Sequence, residues 1–149
     1  MTSLSSMLES IAVLSAALFA GAALYINVVE HPARMGLETR VAAMQWAPSY
    51  KRATWLQAPL AVLSLSCGIG VWILGAGVGW LIAAILVGLV VPFTFIVIMP
   101  TNHQLLTPGR DLSSEETRAL LVRWGQLHAV RTILGLAGTL LFLWLLLGT

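Results

Sequence analysis

The chain has 149 residues and a mass of 16.0 kDa; 58% of its residues are hydrophobic and 9% charged, its mean hydropathy is +0.90 and its formal charge is +2. A soluble domain carries about 25% charged residues, so no fold of this chain could cover a water-facing surface, and a soluble enzyme, a disordered segment and a nucleic-acid-binding domain are excluded. The length fits one domain, residues 1–149, and what remains is an all-α integral membrane protein whose first partner is the lipid bilayer.

A spanning helix needs about 20 mostly apolar residues. The first span covers residues 7–30, with Glu9 at one edge and Asn27 near the other. It reads as a retained helix rather than a signal peptide, because the first basic residue, Arg34, follows the apolar run instead of preceding it. Pro32 disfavours helix at His31 and ends the span. Leu37, Val41 and Met44 recur at helical spacing, which predicts a short interfacial helix over Gly36–Trp46 in the first loop, anchored by Trp46 and Tyr50. The second span covers 53–74 and the third 80–99, with Pro59 and Pro92 as expected kinks. Thr107-Pro108-Gly109-Arg110 reads as a turn, and Ser113 with Glu116 as a capping box opening the last helix. The small residues Ala16/Ala20, Ala84/Gly88 and Gly135/Thr139 allow close helix contact and are compatible with a homo-oligomer. Cys67, the single cysteine, lies in an apolar run and reads as a packing residue.

The fourth span is the informative one. Its purely apolar part, Ile133–Leu147, makes only about 22 Å of helix against a hydrocarbon core of about 30 Å. To cross, it must extend over 127–148 and carry His128 and Arg131 into the bilayer. A charge there is costly unless it faces the bundle interior and finds a partner.

Orientation follows from the basic residues. Arg34, Arg40, Lys51 and Arg52 lie between the first two spans, and Arg110, Arg118, Arg123 and Arg131 before or at the start of the fourth. The positive-inside rule then makes both long loops cytoplasmic and puts both termini outside.

At 1.5 Å per residue, Glu30, His103, His128 and Arg131 lie about 26–35 Å from the outer ends of their helices, near one plane. Asn27, Glu30 and His31 share an arc of the first helix at i, i+3 and i+4, and Trp124, His128 and Arg131 a face of the fourth at i, i+4 and i+7. With Asn102 and His103 they would line a polar pocket at the cytoplasmic end, walled by Trp46, Trp55, Phe93 and Phe95. A structural reading uses the same groups differently. Snorkelling explains most Arg and Lys positions, a Glu30–Arg131 pair would tie the first helix to the fourth, and Trp124 suits an interfacial belt.

Tyr25-Ile26-Asn27-Val28-Val29-Glu30-His31-Pro32-Ala33, Trp46 with Tyr50-Lys51-Arg52-Ala53, Pro92-Phe93-Thr94 with Met99-Pro100-Thr101-Asn102, and Trp124 with His128-Ala129-Val130-Arg131-Thr132 resemble the anthrone oxygenase-like family. The likeness runs from about Gly21 to Gly138. These are small four-helix membrane proteins, most of them bacterial, and the expected location is a bacterial inner membrane. The resemblance implies an oxidoreductase or oxygenase acting on a hydrophobic ring compound drawn from the bilayer, as fungal members oxidise an anthrone to an anthraquinone, and it requires no cofactor. An anthrone C–H is acidic because its anion is an aromatic enolate, and that anion reacts with dioxygen directly. The site would need a base, a cation for the oxyanion and a dry slot: His128 or Glu30 as base, Arg131 as oxyanion partner, Asn27 or Asn102 as donor.

Two other readings use the same residues. His31, His103, His128 and Glu30 could ligate a transition metal, or two histidines could hold haem axially, although no local metal spacing supports this. Alternatively the chain is a non-enzymatic membrane binding protein or accessory subunit whose polar cluster holds the bundle together.

Overall fold

The computed structural model describes residues 3–148; the ends of the expected domain, residues 1, 2 and 149, lie outside the described residues. Four helices are long and apolar enough to cross a membrane: α1 (Ser3–Met35), α2 (Thr39–Ile73), α3 (Val78–Leu105) and α4 (Glu115–Leu147). Consecutive helices pack against each other and α4 packs back on α1, which closes the ring of a four-helix bundle. Its outward face is apolar: Leu14, Val62, Ile96, Ile133 and Leu140 are all exposed. That is what a bilayer requires of a protein whose backbone groups are satisfied inside its own helices.

The first loop differs from expectation. Thr39–Trp46 forms no separate interfacial helix; it is the beginning of α2, one helix of 35 residues that keeps Pro48 and Pro59 inside it. At about 52 Å, α2 outreaches the hydrocarbon layer, so its basic end, with Arg40, Lys51 and Arg52, continues along the helix axis instead of turning into the interface. The start of α4 also differs by one residue. Ser114, not Ser113, is the N-cap, its Oγ accepting from the Thr117 amide at 3.2 Å and donating to the Asp111 carbonyl at 2.8 Å.

Proline shapes α1 and α3 alike. A proline has no N–H, and its ring collides with the carbonyl four residues back. Just before Pro32 the helix widens into a π-turn over Ile26–Glu30, and the His31 N–H reaches the Ile26 carbonyl. Just before Pro100 the same happens over Thr94–Ile98, with Met99 reaching Thr94. Pro92 coincides with a one-residue interruption at Leu89. A wider turn spreads residues three apart further around the helix, which decides where Asn27 and Glu30 point.

The core falls into two apolar clusters. One contains Ala16, Phe19, Ala61, Trp80, Val87 and Phe142. Its helices touch closely: a Cβ at Gly138 would lie 3.0 Å from the Ala83 carbonyl oxygen and 2.5 Å from Val87. The other contains Trp46, Ile98, Leu105, Leu121 and Trp124. Gln57 on α2 and His128, Arg131 and Thr132 on α4 lie between them along the chain, and with Asn27, which directly follows Ile26 on α1, they form a polar layer where the two clusters meet.

Candidate functional site

The layer begins with Asn27, which the π-turn directs at α4. Its Nδ2 donates to the Gly125 carbonyl at 3.1 Å, and this orients the amide, leaving Oδ1 to accept from Thr132 Oγ1 at 2.5 Å and from His128 Nδ1 at 2.7 Å. An amide oxygen only accepts, so the imidazole proton sits on Nδ1 and Nε2 is the acceptor of the neutral ring. His128 is 1% exposed and stacks on Trp124 with ring centroids 4.9 Å apart. Asn27 thus holds His128 and Thr132 through its oxygen and the Gly125 carbonyl through one of its two N–H groups.

Glu30 turns to the other side, toward α2. Its carboxylate accepts from Arg34 and from Ser49 Oγ. Arg34, 3% exposed, also donates to Gln45, to Ser49 Oγ at 3.1 Å and to His31 Nδ1 at 3.3 Å. The expected Glu30–Arg131 pair is not formed. Arg34 is one helical turn away at i+4 and reaches the carboxylate first. The Glu30–Arg34 spacing was readable in the sequence, where Arg34 served only as a topology signal.

Arg131 instead meets Gln57: its Nη2 donates to Gln57 Oε1 at 2.9 Å, and its guanidinium lies 5.6 Å from the centre of the Phe19 ring. No ion pair among the described residues involves it. Gln57 is 1% exposed, and its Nε2, like Arg131 Nε, is buried without a hydrogen-bond partner. Orphaned buried donors cost about 1–3 kcal/mol each; the Trp46 and Trp124 indoles carry them too, but of these only Gln57 and Arg131 border a hollow in which something else can accept. Gln57 was missed at the sequence level, although it is the single amide side chain within the second span, and a polar group there is a site signal.

Two hollows meet at Gln57. An open groove of about 680 Å³ runs between α1 and α2, bordered by Tyr25, Glu30, Ser49, Arg52 and Gln57. A more enclosed cavity of about 110 Å³ lies on the opposite side of α2, with Phe19, Ala61, Val90 and Phe95 in its walls and Arg131 and Gln57 at its polar end. Small-molecule sites measure about 300–1,000 Å³, which the groove meets and the cavity does not.

The remaining expected residues fall elsewhere. Asn102 is buried beside Ile98 and Leu105 with its Oδ1 unpartnered, and His103 is exposed. His31 packs against Trp124 at 5.2 Å, and a Cβ on Gly125 would come within 2.4 Å of its Nε2. Accordingly His31, His103, His128 and Glu30 do not assemble as ligands: among the described residues no group of three or more His, Cys, Asp or Glu side chains could hold a metal ion. Trp124 is no belt residue. It is 4% exposed and forms the hub on which His31, Trp46, His128 and the Arg34 guanidinium converge. Of the expected walls, Trp46 is buried, Phe95 lines the enclosed cavity and Trp55, 83% exposed, faces outward.

Residues 46–141 match a family model described as anthrone oxygenase. Among curated proteins, the anthrone oxygenase gedH of Aspergillus terreus is 30% identical over 131 residues, 80% of this chain and 86% of that protein. The anthrone oxygenase ptaC of Pestalotiopsis fici is 32% identical over 117 residues, 68% of this chain and 82% of that protein. The anthrone oxygenase tpcL of Aspergillus fumigatus is 43% identical over 70 residues, 45% of this chain, and the match spans 44% of that protein's length. No solved structure matches the chain.

Proposed function

The chain belongs to the anthrone oxygenase family, and from that premise we propose that it is a membrane-embedded oxygenase acting on a hydrophobic, anthrone-like ring compound that enters the groove between α1 and α2 from the bilayer. The groove has the volume of a small-molecule site, one carboxylate on its wall and an amide with a spare donor at its inner end. Glu30 takes the acidic proton from the ring carbon. Arg34 and Ser49 hold its carboxylate in place. The negative charge that develops on the ring oxygen is met by Gln57 Nε2, and the Arg131 guanidinium behind the amide adds a fixed positive charge in a water-poor setting. His128, fixed by Asn27, lies outside the groove's lining and acts as the positioning partner of this layer. The loop ends of the helices, where Glu30 and Arg34 sit, are on the cytoplasmic side in this reading, with both termini outside.

The observation that carries the reading is Gln57: its oxygen is held by Arg131, its nitrogen is buried without a partner, and it walls the groove that Glu30 also borders. The test uses the full chain purified in nanodiscs and supplied with an anthrone, following dioxygen uptake and quinone absorbance above the spontaneous background. Wild-type protein should accelerate both, and Glu30→Gln should remove the acceleration. No acceleration by wild type, or a full rate in Glu30→Gln, defeats the reading.

A further inference from the structure

The enclosed cavity of about 110 Å³ is too small for a ring substrate, yet it ends on the same Gln57 that walls the groove. All four helices contribute to it: Phe19 from α1, Ala58 and Ala61 from α2, Val90 and Phe95 from α3, Arg131 from α4. Thr54, Ala58 and Phe95 are exposed on the outer face of the bundle, so its mouth opens between α2 and α3 toward the acyl chains, whereas Phe19, Ala61 and Val90 are buried at its inner end. Arg131 is the one charged residue in its lining. A cavity of near 150 Å³ with purely apolar walls stays dry and takes up apolar guests such as xenon, and the exposed lining of this one is mostly apolar, with Arg131 and Gln57 at one end. Dioxygen is apolar too and dissolves better in hydrocarbon than in water.

We propose that this cavity is the dioxygen site, filled laterally from the bilayer and separated from the ring groove by Gln57. The inference rests on the oxygenase reading above and adds to it the place of the second substrate. The ring carbanion left by loss of a proton to Glu30 passes one electron to dioxygen, giving a ring radical and superoxide. Superoxide moves past the Gln57 side chain to the radical, the two combine in a C–O bond, and the resulting peroxide anion carries its charge on the distal oxygen. Arg131 lines the cavity behind Gln57, the residue that cavity and groove share, and faces the negative charge from the cavity side. The proton first taken by Glu30 returns to make the hydroperoxide. Loss of water, with the second hydrogen of the ring carbon leaving as the O–O bond breaks, yields the ketone, so CH₂ and O₂ become C=O and H₂O.

The experiment fills the cavity with Ala58→Phe at its mouth and, independently, with Val91→Phe on α3, another residue of its lining, and measures the KM for dioxygen and for the ring compound separately. Both variants should raise the dioxygen KM severalfold and leave the ring KM unchanged. Xenon pressurised into wild-type crystals should occupy the cavity and be absent from the variants. A folded, filled variant with an unchanged dioxygen KM overturns the inference while leaving the oxygenase reading intact; a raised ring KM overturns it by assigning the cavity to the ring. If both variants fail to fold, xenon in wild type decides: an empty cavity under pressure overturns the proposal. A wild type that consumes no dioxygen overturns both readings together.

Discussion

His128 Nδ1 and Asn27 Oδ1 lie 2.7 Å apart, and the pairing has one polarity because the other end of the Asn27 amide is tied to the Gly125 carbonyl. One side chain thereby sets the tautomer of an imidazole on another helix. Nitrogen-15 NMR of selectively labelled protein should report His128 as the Nδ1–H tautomer. Asn27→Leu should mix the tautomers and lower stability by about 2 kcal/mol, since it strands the Thr132 hydroxyl, the imidazole and a carbonyl. An unchanged imidazole spectrum in that variant contradicts the assignment.

Gly125 is the seat on which α1 meets α4. A Cβ there would stand 2.4 Å from His31 Nε2, whereas at Gly21 an added Cβ meets nothing within 4 Å. Gly125→Ala should therefore cost about 1–3 kcal/mol through forced repacking, and Gly21→Ala should cost nothing measurable or stabilise slightly by favouring helix. Thermal unfolding of the two variants in one detergent separates them; equal midpoints would refute the close approach.

Glu30 and Arg34 form a pair in which the arginine side chain is 2% exposed and the carboxylate 23%. Removing one partner leaves the other stranded, which is worse than removing both. Glu30→Gln should destabilise more than the double variant Glu30→Gln/Arg34→Met, with a coupling of roughly 1–3 kcal/mol in a double-mutant cycle. A coupling near zero would mean that the pair is screened and leaves Ser49 alone to hold the carboxylate.

Arg131 and Gln57 distinguish structure from chemistry. Arg131→Met removes a buried cation that has no carboxylate but strands Gln57 Oε1, so it should cost about 1–3 kcal/mol and still fold. The same change should lower kcat about 100-fold, the usual effect of losing a preorganised charge or donor at a developing anion. Gln57→Leu should lower kcat similarly, with a smaller effect on the ring KM. Loss of folding in Arg131→Met would assign the pair to structure.

The four spans were legible because hydropathy is additive along the chain: four helices long and apolar enough to cross a membrane overlie the four expected runs, the second and fourth of which end one residue past their helices. The shortness of the last apolar stretch also pointed correctly to His128 and Arg131 being drawn inward, and both are found turned toward neighbouring helices. Partners were less legible. Asn27, Glu30 and His31 look like one arc on an ideal helix, but the turn widened by Pro32 spreads them, sending Asn27 to α4 and Glu30 to α2. Gln57 lay unnoticed in an apolar run because a single amide hardly changes the mean hydropathy of its window. The first loop has helical periodicity and so predicts an interfacial helix, but periodicity carries no information on whether a helix ends before the next one begins.

From the sequence alone came the membrane, the number of crossings and the polar groups that an apolar bundle has to accommodate, since all three depend on transfer free energies summed residue by residue. Which of those groups meet was decided by the tertiary structure. A hydrogen bond or ion pair depends on angstroms and on helix rotation, and here two proline-induced wide turns and one glycine contact set the rotation. Arg34 rather than Arg131 faces Glu30, and Gln57 faces Arg131. A polar layer that sequence makes necessary thus becomes, through packing, a groove and a cavity joined at one amide.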